Sequence, residues 1–120
     1  METGKHSDFQ KRTFDYALRI VRLVDALPKS ETSRILGKQL LRSGTSVGAN
    51  SRAARRSRAR AEFISKPGIV EEEADESLFW IELLTAAGKI SANKVESLLK
   101  ETNEILAIAV ASIKTARSTK

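Results

Sequence analysis

Apolar residues in this chain recur every three or four positions in four successive runs, with only a few residues between runs. That period matches the 3.6-residue turn of an α-helix and not the two-residue alternation of a strand. With only two prolines and six glycines in 120 residues, little interrupts the pattern. The expected class is all-α. Short joins make consecutive helices antiparallel neighbours, so the expected architecture is an up-down-up-down four-helix bundle over residues 7–116. Residues 1–6 are expected to be a disordered N-terminus and residues 117–120 a frayed end.

The first helix is expected over about 8–27. Ser7 and Gln10 fit an S-x-x-Q capping box. Phe14, Leu18, Val21 and Val24 then share one face, and Pro28 closes the segment. The second is expected over about 31–54, opening near Ser30, with Leu36, Leu40 and Val47 inward. The third is expected over about 58–87, with Phe63, Val70, Ala74, Ile81 and Leu84 inward and Gly88 as the left-handed stop. Pro67 falls inside its pattern. Either this helix is kinked there, or the second helix continues into the sixties and the third starts near Pro67. The fourth, about 92–116, carries a stripe of Val95, Leu98, Thr102, Ile105, Ala109 and Ser112, thickened by Leu99, Leu106 and Ile113.

Charge is unevenly spread. Residues 34–66 hold nine Lys/Arg and one Glu, whereas residues 67–82 hold six Asp/Glu and no cation. A basic block points to an anionic partner such as nucleic acid, with Arg52, Arg55, Arg56, Arg58 and Arg60 as phosphate ligands and Arg42 and Lys66 as supplementary ones. The competing reading is that the two blocks face each other within or between subunits. No aromatic residue interleaves the arginines, so base stacking is not indicated.

The stretch SGTSVGAN, residues 43–50, precedes the arginines. A phosphate-binding P-loop needs G-x-x-x-x-G-K-[ST] after a strand, and both the spacing and the lysine are missing. As part of a helix, Gly44 and Gly48 lie four apart on one face and, with Val47, open a groove for close approach of a neighbour. Each interior glycine costs about 1 kcal/mol against alanine, which tight packing must offset. Asn50 is expected to bond a loop or an adjacent helix.

Catalysis is not expected. The single histidine, His6, cannot anchor a nucleophile–base pair, and no Glu-x-x-His motif for a di-iron site is present. The EEEADE run could offer Glu72, Asp75 and Glu76 to Mg²⁺, but such a run is more often a solvated face. No cysteine is present, and no cofactor is expected. No apolar run spans a bilayer, and the first fourteen residues lack a signal core, so a cytoplasmic protein without a membrane partner is expected. Phe79, Trp80 and Leu83 sit off the core stripe of the third helix, with Trp80 expected to point outward into a subunit contact.

The runs GKQLLRSGTSVGAN, RAEFISK and EEADESLFWIELLTAAG resemble the four-helix bundle family of 23S rRNA intervening-sequence proteins. Gln39, Leu40, Arg42, Ser43, Ser46, Gly48, Ala49, Asn50, Glu62 and Phe63 match its pattern, and the likeness extends over nearly the whole chain. Pro67 departs from it, standing where leucine is usual, and ARRSRARA is richer in arginine. The resemblance implies a bacterial protein that assembles as a pentameric ring. A similar basic ring occurs in accessory proteins of diversity-generating retroelements. The expected function is a non-enzymatic, oligomeric, nucleic-acid-binding protein, with RNA as the ligand. The alternative is an oligomeric scaffold whose charges mediate protein contacts without nucleic acid.

Overall fold

The computed structural model describes residues 4–56 and 60–118. Four helices follow in order: α1 (Gly4–Asp25), α2 (Glu31–Arg55), α3 (Arg60–Ala86) and α4 (Ala92–Ser118). The described residues contain no strand. The body is elongated, 48 × 22 × 19 Å.

Local chemistry sets the helix ends. α1 is already helical at Gly4, so Ser7 lies inside it and is not its cap, and residues 4–6 belong to the helix. Ser30 caps α2, its hydroxyl accepting the Ser33 backbone N–H at 3.0 Å. α3 ends in a Schellman motif. Gly88 takes φ +78°, Lys89 N–H reaches the Leu84 carbonyl at 2.9 Å, and Gly88 N–H reaches that of Thr85 at 3.0 Å. α2 stops at Arg55 and α3 begins at Arg60, so Pro67 lies within α3 and α2 does not run into the sixties. α4 remains helical to Ser118.

The inner faces of α2, α3 and α4 follow their stripes, except that the side chain of Phe63, expected inward on α3, lies outside the described residues. Leu40 and Val47, then Val70, Ala74, Ile81 and Leu84, then Val95, Leu98, Thr102, Ile105 and Ala109 are all buried. Ser112, assigned to the same stripe, is exposed, because α4 by then runs past the well-packed section. On α1 the expected face is wrong. Phe14 is 57% exposed and Leu18 is also exposed, while Thr13, Tyr16 and Ile20 are buried. Apolar residues surround much of α1, so periodicity alone permits two stripes. Thr13 hides its own hydroxyl against the Phe9 and Gln10 carbonyls, both at 3.1 Å, and so can face the core.

The glycines of α2 settle which stripe of α1 turns inward. A Cβ on Gly44 would lie 2.7 Å from both Cγ atoms of Ile20, and one on Gly48 would lie 3.1 Å from the Thr13 carbonyl oxygen. A Cβ on Gly37 would lie 2.9 Å from Leu27 Cδ1. The three glycines therefore form a seam along which α1 and α2 run antiparallel at close range. α1 and α4 also run antiparallel, as Arg12 meets Glu101 and Glu104, Tyr16 meets Thr102, and Arg19 meets Ser97.

A layer of hydroxyls crosses the middle of the core, one from each helix: Tyr16, Ser43, Ser77 and Thr102. Tyr16 Oη is 2.7 Å from Thr102 Oγ1, and Ser43 Oγ is 2.8 Å from Ser77 Oγ. Ser77 also donates to the Glu73 carbonyl at 2.8 Å, and Thr102 to that of Leu98 at 2.8 Å. Each hydroxyl is satisfied, so the layer fixes helix register without an unmet buried dipole.

Candidate functional site

α2 ends where the basic run begins. Arg52 and Arg56 are exposed, and neither forms an ion pair with a described residue. Arg55 closes α2 and Arg60 opens α3, but their side chains lie outside the described residues, as does Arg58 altogether. The expected grouping of all five arginines therefore rests on the two that are described. Lys66, on the second turn of α3, is half-buried.

Arg42 behaves differently from its expected role. It reaches across to α3, where its guanidinium pairs with Glu73 at 3.4 Å and, more closely, with Glu76. Glu76 also accepts the indole N–H of Trp80 at 3.0 Å. That indole donor, with Arg42 behind it, holds the Glu76 carboxyl below its ordinary range. Arg42 is thus occupied, and among the described residues this is the one position where the basic and acidic blocks face each other. Among the described residues no group of acidic side chains is arranged to hold a metal.

Trp80 is half-buried and packs against the core, so it does not point outward as its position on the wheel suggested. Its N–H needs an acceptor, and Glu76, one turn earlier, supplies it. Phe79, 53% exposed, meets the Trp80 ring edge-on at a centroid distance of 4.9 Å. Leu83 and Ile35 are exposed too. Ile35 is two turns before Arg42 and Leu83 two turns after Glu76, so the Arg42–Glu76 contact places both at one level on one flank. Ile35, Phe79 and Leu83 thus form an apolar ledge on the α2–α3 side. Phe14 and Leu18, one turn apart, form a second on α1. Among the described residues, Asn50 bonds neither loop nor neighbour. Its Nδ2 donates to the Ser46 carbonyl of its own helix at 3.0 Å.

Sequence reasoning missed the α1–α4 clamp. Arg12 donates from Nε to Glu101 Oε2 at 2.7 Å and from Nη2 to Oε1 at 2.9 Å, with Glu104 as a further partner. This fork draws the Glu101 carboxyl below its usual range. The only available signal was weak: Glu101 and Glu104 lie three apart on one helix face. Gly37 was also missed, although its spacing of seven from Gly44 keeps it on the same side of α2.

A family model described as 23S rRNA-intervening sequence protein matches residues 5–111. A solved structure from Bacteroides thetaiotaomicron VPI-5482, described as a protein of unknown function from the S23 ribosomal protein family, is 36% identical with a TM-score of 0.85. The match covers 92% of this chain and 98% of that one. Among curated proteins, none matches the chain.

Proposed function

The chain belongs to the 23S rRNA-intervening sequence protein family, and from that premise we propose that it is a non-enzymatic, oligomeric, nucleic-acid-binding protein that holds structured RNA in the cytoplasm. One observation carries the reading. The acidic block of α3 captures Arg42 but leaves Arg52 and Arg56 exposed, with no ion-pair partner among the described residues. Mutual neutralisation of the two blocks therefore does not account for the end of α2. Free guanidinium groups suit phosphate oxygens, which they can grip in a fork. No base-reading group is identified, so the expected binding is sequence-tolerant and steeply dependent on salt.

Assembly as a ring, with five copies as the resemblance implies, uses two different apolar faces. A heterologous contact joins unlike surfaces and can close into a ring. The Phe14–Leu18 face and the Ile35–Phe79–Leu83 ledge are such a pair, both exposed on a single chain. The same two faces are what favour the second reading, a scaffold without nucleic acid.

The test is a titration of structured RNA at about 50 and about 200 mM salt. The wild type is compared with a variant carrying Arg52→Ala, Arg55→Ala, Arg56→Ala and Arg60→Ala. Binding that disappears while the oligomer stays intact supports the RNA reading. A wild type that binds no RNA, or a variant whose assembly dissociates, supports the scaffold instead.

A further inference from the structure

The helix directions place more cations near Arg52 than the basic run alone supplies. α1 starts, α2 ends, α3 starts and α4 ends at the same end of the bundle. Residues 4–11, 49–56, 60–67 and 108–118 together carry nine Lys/Arg and two carboxylates, Asp8 and Glu62, while the rest of the chain carries twelve Lys/Arg and thirteen carboxylates. The whole surplus of positive charge is therefore gathered at one end. Two helix N-termini and two C-termini meet there, so their dipoles largely cancel and the side chains set the sign. With a body 48 Å long, that end lies several Debye lengths (about 8 Å each at physiological salt) from the other. The two ends thus act as separate electrostatic surfaces.

We propose that this end is one polyanion-docking face, and that a nucleic-acid backbone crosses it from the α2 terminus at Arg52 and Arg56 to the α4 terminus at Lys114. The proposal rests on the nucleic-acid reading above and adds the α4 contact and the direction of the strand. Lys114 is exposed and has no partner among the described residues. Lys11 of α1 is exposed as well, though paired with Asp15 at 2.9 Å. The α2–α3 flank is excluded as the track. Its arginine, Arg42, is held by Glu73 and Glu76, and Glu72 and Asp75 stand exposed close by. A phosphate backbone laid there would meet carboxylates and would have to displace an existing ion pair.

The experiment compares Lys114→Glu with Lys94→Glu, an exposed lysine at the opposite end of the same helix. Each is titrated, with Lys114→Arg as the conservative control, against the same structured RNA, against a single-stranded RNA and against heparin. Lys114→Glu weakens all three by about fivefold or more and flattens the salt dependence of the single-stranded RNA by about 0.7 in log–log slope, one contact's worth for a single strand. Lys94→Glu stays within about twofold of wild type, as a charge several Debye lengths away should, and Lys114→Arg binds normally. Equal effects at the two lysines, or no effect at Lys114, overturn the proposal. If heparin shows the asymmetry and neither RNA binds, the face stands and the nucleic-acid reading falls. If none of the three polyanions binds, both fall.

Discussion

The hydroxyl of Tyr16 on α1 lies 2.7 Å from Oγ1 of Thr102 on α4, with both side chains buried. Thr102 is also 2.8 Å from the Leu98 carbonyl, which can only accept, so the threonine proton is used there and Tyr16 donates to threonine. Burial pushes the phenol pKa up, which keeps the proton on Tyr16. This directed bond ties together α1 and α4, the adjacent pair that touches least.

Tyr16→Phe deletes the donor and leaves a threonine lone pair buried without a partner. The expected loss is about 1 kcal/mol. Thr102→Val alone strands the tyrosine hydroxyl instead. In urea unfolding, the double variant loses less than the two single losses together, because no stranded group remains. Strict additivity would show that the pair is not energetically coupled.

Two glycine-to-alanine changes should have opposite signs. Gly44→Ala puts a methyl group 2.7 Å from two Ile20 carbons, and Ile20 is fully buried and branched, so the helices must part. A cost of about 1–3 kcal/mol follows, the range for an overfilled core. Gly68 lies within α3 with nothing within 4 Å of such a methyl, so Gly68→Ala gains helix propensity, up to about 1 kcal/mol. Thermal unfolding of both variants reads the contrast, and Gly44→Ala as stable as wild type would contradict the close seam.

Acid should weaken the α1–α4 clamp. Glu101 is held below its unfolded pKa by Arg12, so its contribution is complete above the ordinary glutamate value of about 4.3 and is lost as pH falls through the lower folded value. Glu101→Gln abolishes that part of the dependence. Stability measured in steps from about pH 6 to pH 3 should therefore fall less steeply for the variant than for wild type. Parallel curves would mean that the clamp carries no linkage.

Charge placed on either apolar face should disperse the oligomer while leaving each bundle folded. Phe14→Asp and Leu83→Asp alter exposed positions on different helices, so little core packing is lost. Light scattering should report a smaller particle for each, with helical circular dichroism preserved. Wild-type protein running as a single 13.2 kDa chain would remove the oligomer from the proposal.

The inner stripes of α2 and α4 were legible from their apolar spacing, and that of α3 from the steps of Val70, Ala74, Ile81 and Leu84, although Phe79, Trp80 and Leu83 spread apolar character around that helix. So was the tight role of Gly44 and Gly48, since two glycines four apart in a helix need a packing reason. α1 was not, because Phe14, Leu18 and Val21 make as good a stripe as Tyr16, Ile20 and Leu23. The candidate site was legible only as a basic segment. Arg42 and Arg52 look alike in the chain, and only the crossing of α2 over α3 shows that one is claimed by Glu76 while the other is not.

The sequence by itself determined four helices, their short joins and a basic block, because backbone propensity, capping and spacing act over a few residues. Only the tertiary structure decided which side of α1 turns inward, which arginine is occupied, and that cations from four separate segments gather at one end. Those outcomes depend on contacts between residues 24 to 89 positions apart, where the fit of Ile20 against Gly44 or of Arg12 against Glu101 is decided by packed surfaces. No local pattern in the chain encodes that fit.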